Sequence, residues 1–154
     1  MKSILSLNWW DKCCRLAGLS ARLPGLPPAS TFGLLDVKLA DDVWQVICDY
    51  LLKYRKVKAT PKLRRAVEQA TKITPFEGGV FMAIGNEFDL FVVPAKRGKW
   101  NIRGEVGKYL ASMLEKYDTV VVKIYAHNQT SLRLAKHFGF VETDRTGDII
   151  KLEL

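Results

Sequence analysis

Two stretches of this chain carry residue types whose spacing could do chemistry. In Val92-Val93-Pro94-Ala95-Lys96-Arg97-Gly98-Lys99 an apolar, strand-like run gives way to a basic turn that contains a glycine. Where such a turn opens a helix, free backbone N–H groups and the positive dipole end converge on one point. That arrangement binds phosphate if glycine lets the backbone come close. Lys96, Arg97 and Lys99 would add point charges for the same phosphates. The second stretch is Asn128-Gln129-Thr130-Ser131-Leu132-Arg133-Leu134-Ala135-Lys136-His137-Phe138-Gly139-Phe140. Its plainest structural reading is a short helix capped by Asn128, with Leu134 and Phe138 in the core and Gly139 closing the C-terminal end. No other catalytic constellation competes: the sequence has no Ser-His-Asp signal, no G-x-x-x-x-G-K-[ST] loop and no paired carboxylates in a glycine-framed cleft. His127 and His137 have no thiol nearby, so no metal site is expected.

The elements that must position these residues can be read from hydrophobic periodicity. Residues 34–39 suit a first strand, and Asp41 or Asp42 can cap a helix on which Val43, Ile47, Tyr50, Leu51 and Tyr54 share a face. Thr60 followed by Pro61 opens a second helix with Leu63, Val67 and Ala70 inward. Stretches 79–84 and 88–93 form a hairpin turning at Gly85-Asn86. A third helix covers 102–117, with Val106, Tyr109, Leu110, Met113, Leu114 and Tyr117 at helical spacing. The β-branched run 119–125 reads as a central strand, 131–138 as a short helix, and 140–142 and 149–154 as strands joined across Arg145-Thr146-Gly147-Asp148. The order β-α-α-β-β-α-β-α-β-β gives an α/β (α+β) fold with one mixed sheet flanked by helices.

At 154 residues, with 48% hydrophobic and 26% charged, the chain fits a single globular domain, 31–154, preceded by an N-terminal arm, 1–30. The arm carries Trp9, Trp10, Leu16, Leu19 and Leu23 among basic residues before Pro24, Pro27 and Pro28. Asp11, Lys12 and Arg15 interrupt the apolar stretch a secretory signal needs, and the arm reads as a segment that packs against its own domain or a partner. No apolar run approaches the ~20 residues of a membrane span. Three cysteines, two of them adjacent, do not make a disulfide framework and point to a reducing compartment. The net charge of +8 favours an anionic partner, with Lys53, Arg55, Lys56, Lys58, Lys62, Arg64 and Arg65 clustered in the first half.

With these elements in place, the segment 92–140 resembles the GNAT superfamily of N-acetyltransferases, and the element order, which resembles that of the superfamily short by one strand in the middle, extends the resemblance over 34–154. The superfamily's pyrophosphate turn reads V-x-P-x-x-R-G-x-G-x-G/A. Val92, Pro94, Arg97 and Gly98 match it, whereas Trp100 and Ile102 stand at the next two small positions and would crowd a pyrophosphate. The resemblance implies acetyl-CoA or CoA as cofactor, held by Val92, Val93, Arg97, Gly98, Lys99, Asn128 and Ser131, with Asn128 hydrogen-bonding the pantetheine arm. It makes Glu87 and Asp89 the candidates for the base that takes a proton from the attacking amine, directly or through one water. It also sets strands 88–93 and 119–125 side by side and parallel. One position after Leu134, many members carry a Tyr that protonates the departing thiolate; here it is Ala135, and Tyr125 and Tyr109 are the hydroxyls that could substitute.

The segment Met113-Leu114-Glu115-Lys116-Tyr117-Asp118-Thr119, with Asn128, Ser131, Arg133 and Lys136, is similar to the GNAT-like internal virion protein A group of short-tailed bacteriophages. That group also departs from the glycine-rich turn and lacks the acid Tyr. The similarity implies protein partners in a phage particle, a role in virion assembly or structure, and a location in the virion or the host cytoplasm. Two alternatives stand beside it. One is an active acetyl-CoA-dependent N-acyltransferase. The other is a nucleic-acid-binding basic domain, against which stands the lack of aromatic residues among the basic ones beyond Tyr54.

Overall fold

The computed structural model describes residues 38–97 and 102–154. Among them the strands form one six-stranded mixed sheet in the order β1-β2-β3-β4-β6-β5. The strands are β1 Lys72–Phe76, β2 Gly79–Ile84, β3 Glu87–Val92, β4 Val121–Tyr125, β5 Val141–Thr146 and β6 Ile149–Glu153. The helices are α1 Asp41–Tyr50, α2 Pro61–Ala70, α3 Ile102–Leu114 and α4 Gln129–His137. The chain divides into two compact units: 38–84 with Leu90–Arg97, and Gly85–Asp89 with 102–154.

In the first unit α1 and α2 bury Val43, Ile47, Leu63, Val67 and Ala70 against Ile73, Val80, Met82, Phe91 and Val93. Helix α1 runs on without a break into a π-turn, Leu51–Arg55, which keeps Leu51 fully buried and ends at Lys56 in the left-handed region (φ 53°). Thr60 caps α2 by accepting a hydrogen bond from the Leu63 N–H at 3.1 Å, with Pro61 in the first helical turn, as the sequence predicts. The start of α1 differs from expectation. Ala40, not Asp41 or Asp42, is the N-cap residue, and it makes no side-chain cap. Asp41 instead pairs with Arg64 at 2.8 Å, and Arg64 also reaches Glu68 at 3.3 Å and the Leu39 carbonyl. The Glu68 carboxylate in turn accepts from the Leu39 N–H, so a side-chain cluster on α2 fixes the approach to α1.

Strand β1 was not expected from the sequence. Pro75 argues against an interior strand, but β1 lies at one end of the strand order, where the missing N–H is tolerated. It pairs antiparallel with β2, from Lys72 opposite Ala83 to Phe76 opposite Gly79. It supplies the strand missing from the middle of the predicted order. The β2–β3 hairpin turns at Gly85-Asn86 as predicted, with Gly85 at φ 59°.

In the second unit α3 buries Val106, Tyr109, Leu110 and Met113 but ends at Leu114. Leu114 and Tyr117, expected inward, are 44% and 36% exposed because the helix stops before a further turn could carry them back to the core. Strands β4 and β6 pair antiparallel, and Val122, Leu152 and Ile150 are buried together on one side. The start of β3 pairs parallel with β4, Glu87 opposite Val121, as the sequence reading required. The Val121 N–H donates to the Asn86 carbonyl at 2.8 Å, and the Asn86 side chain donates to the Thr119 carbonyl. The expected first strand falls almost wholly outside the described residues, and Lys38 and Leu39 are not in a strand. The N-terminal arm also lies outside them.

Candidate functional site

The residues expected to grip a cofactor lie partly in each unit. In the first, β3 runs into Val93, a short 3-10 turn at Pro94–Lys96, and Arg97. Val93 is buried, and its N–H donates to the Gly78 carbonyl at 2.9 Å. The Val92 carbonyl accepts from Arg97 Nε at 3.1 Å, which leaves the guanidinium exposed but folded back on its own strand. Lys96 lies across Gly78 and pairs with Glu77 at 3.2 Å. Of the three cations proposed for phosphate, one is therefore paired with a carboxylate and one is tied to a backbone carbonyl. Lys99, Gly98 and Trp100 lie outside the described residues.

In the second unit Glu87 opens β3, and its Oε2 pairs with Lys123 Nζ at 3.3 Å. The side chains are 20% and 16% exposed, so both charges are largely desolvated and depend on each other. Asp89 is half-buried two residues on, on the same face of the strand by alternation. Lys123 was missed by the sequence reading. The available signal was a charged residue inside the β-branched run Thr119-Val120-Val121-Val122-Lys123-Ile124-Tyr125, where a charge needs a partner.

Asn128 caps α4: its Oδ1 accepts from the Ser131 N–H at 3.2 Å, and its own N–H donates to the Tyr125 carbonyl at 2.9 Å. Its side chain is exposed. Leu132 and Ala135, not Leu134 and Phe138, are the fully buried side chains of this segment; the latter two are half-buried. Ala135 thus occupies a core position at 8% exposure, and its carbonyl accepts from the Phe138 and Phe140 N–H groups. Gly139 follows at φ 94°, a left-handed backbone that suits glycine after a helix end.

The two alternative hydroxyls sit in different surroundings. Tyr109 is buried on α3 with its ring 5.0 Å from that of Phe88, and burial pushes its phenol up to about 12. Tyr125 packs beside His127, ring centroids 5.6 Å apart. Among the described residues no cluster of His, Cys, Asp or Glu could hold a metal ion, and no helix is long and apolar enough to cross a membrane.

The architecture matches solved acetyltransferase structures. YncA of Salmonella typhimurium, assigned as an acetyltransferase and solved with its cofactor acetyl-CoA, aligns at a TM-score of 0.58 with 16% identity over 76% of this chain and 91% of that one. A spermidine N-acetyltransferase SpeG chimera of Vibrio cholerae and hSSAT sequence aligns at 0.54, with 13% identity over 76% and 92%. No protein-family model matches the sequence, and no curated protein matches it. At these identities the likeness establishes the fold. The chain has the mixed α/β fold of the GNAT acetyltransferases.

Proposed function

We propose that this chain uses the acetyltransferase fold as a binding scaffold, with its acetyl-CoA site degenerate, and acts through protein partners in a bacteriophage virion or its assembly. The observation that carries the reading is that several of the described site residues are engaged within the chain. The Val93 N–H, the Glu87 carboxylate and the Asn128 Oδ1 each have an intramolecular partner, and Ala135 is a core side chain without a proton to donate. A backbone N–H already bonded within the chain is not available to a pantetheine amide, and a carboxylate paired with an ammonium must break that pair before it can meet an amine. These pairings support a site that no longer grips acetyl-CoA or moves its proton. The phage assignment rests on the similarity of 113–119, Asn128, Ser131, Arg133 and Lys136 to the internal virion protein A group. It also agrees with an arm rich in apolar bulk.

Isothermal titration calorimetry with acetyl-CoA tests the reading. Neither the parent nor Trp100→Gly should bind, since relieving the crowded turn does not restore the other groups. Saturable binding by either protein, or acetyl transfer to an amine, would establish the enzyme instead. Deleting residues 1–23 should leave the domain folded by circular dichroism and abolish incorporation into particles; normal incorporation of the truncated chain would overturn the assembly role.

A further inference from the structure

The stretch 51–65, Leu-Leu-Lys-Tyr-Arg-Lys-Val-Lys-Ala-Thr-Pro-Lys-Leu-Arg-Arg, contains seven cations and no acidic residue. The structure divides those cations by role. Arg64 is spent on Asp41 and Glu68 with its guanidinium over Trp44, and Arg55 is half-buried. Lys53, Lys56, Lys58, Lys62 and Arg65 are exposed. Between the π-turn and α2 the backbone alternates: Lys56 and Lys58 point out while Val57 and Ala59 pack against the core of α1 and α2. The Val57 N–H bonds the Leu51 carbonyl at 3.2 Å, and the Thr60 cap fixes the other end, so the lysines project from a held backbone. Lys56 itself takes a left-handed φ of 53° at the end of the π-turn. Helix ends favour glycine or asparagine in that conformation. A lysine there keeps a charge on the strip at a conformational cost. Beside these charges Leu52 is 60% exposed.

We propose that this strip docks an acidic protein segment that carries an apolar side chain, with Leu52 as the apolar contact and Lys53, Lys56, Lys58, Lys62 and Arg65 supplying the complementary charge. An exposed leucine in a segment whose exposed charges are all positive suits a protein partner, since desolvating Leu52 gives affinity while the lysines steer and orient. A nucleic acid would use the charges but leave Leu52 with no partner. It would also want an exposed aromatic platform, whereas Tyr54 is half-buried against Tyr50 with centroids 5.2 Å apart. The strip contains none of the candidate-site residues, so the acetyl-CoA titration and the test below succeed or fail independently.

Fluorescence polarisation on the full chain at about 0.15 M ionic strength tests the proposal with three labelled probes. These are a peptide of glutamates interspersed with leucines, an all-glutamate peptide of equal charge, and duplex DNA. The leucine-bearing peptide should bind about tenfold more tightly than the all-glutamate one. Leu52→Ser should erase that difference without weakening the all-glutamate peptide. Lys56→Glu/Lys62→Glu should weaken both peptides by about tenfold or more. All the substituted positions are exposed, and circular dichroism confirms that the variants fold. The proposal is overturned if neither peptide binds, if the two peptides bind equally, if charge reversal leaves binding unchanged, or if duplex DNA binds more tightly than the leucine-bearing peptide.

Discussion

Replacing Lys123 by Met asks whether Glu87 serves the fold or the chemistry. The pair's charged atoms lie 3.3 Å apart, and the side chains keep only 16% and 20% of their exposure. Exposed ion pairs contribute about 0.2–1 kcal/mol, and removing one partner of a fully buried pair costs about 3–5 kcal/mol. A pair roughly four-fifths buried falls between, so Lys123→Met should destabilise the protein by about 2 kcal/mol, mostly by stranding the Glu87 carboxylate. In a domain of this length that corresponds to a fall of about 4–8 °C in Tm. Glu87→Gln/Lys123→Met removes the orphaned charge and should recover at least half of the loss. Urea denaturation of the parent, both single variants and the double variant completes the cycle, and repeating it at high salt should change the coupling little because the pair is shielded from ions. If Lys123→Met stays within about 0.5 kcal/mol of the parent, the pair does not hold the fold. The same conclusion follows if the double variant is no more stable than Lys123→Met. If Glu87→Gln then also abolished an acetyl-transfer activity, Glu87 would be a base and the scaffold reading would fail.

Two further outcomes follow from local geometry. Thr60→Ala leaves the Leu63 N–H without its 3.1 Å acceptor and should cost about 1 kcal/mol in urea denaturation, with Thr60→Ser close to the parent; equal stability of Thr60→Ala and the parent would show that Pro61 alone sets the helix start. Tyr109 makes stability fall at high pH: the unfolded phenol ionises near 10, while the buried one keeps its proton to about 12. Over that interval the native state binds more protons than the unfolded state, so stability declines as pH rises, by on the order of 2 kcal/mol. Tyr109→Phe should flatten the decline, and an unchanged pH profile in that variant would show that the loss arises elsewhere.

The fold was legible because its signals are distributed over many residues. The face Val43, Ile47, Leu51, the Thr60-Pro61 start and the Gly85-Asn86 turn each repeat one message in residue type and spacing, and the structure places each as read. What escaped were features decided by position in the sheet or by contacts distant in sequence. Strand β1 is readable only once Pro75 is known to sit at one end of the strand order. The use of Asp41 on Arg64 depends on a residue 23 positions away, which no local capping rule can foresee. For the site, the sequence located the turn and helix that would carry it. It could not reveal that Glu87 meets Lys123, or that Lys96 turns back to Glu77, because both pairings arise only after the strands assemble.

The fold and the chemistry draw on different residues. The sheet and its helices rest on dozens of apolar side chains, whereas acetyl transfer rests on a few polar groups that must stay uncommitted until a substrate arrives. Polar groups buried in a folded chain are satisfied within it unless function keeps them open. Here several described candidates are paired within the chain: the Glu87 carboxylate has its ammonium, the Asn128 amide oxygen its cap and the Val93 N–H its carbonyl, while Ala135 lies in the core. Segment 51–65, with its exposed cations and the exposed Leu52, lies apart from those candidates in sequence. An exposed leucine in a segment rich in exposed cations is the feature on which the proposed contact with an acidic partner rests.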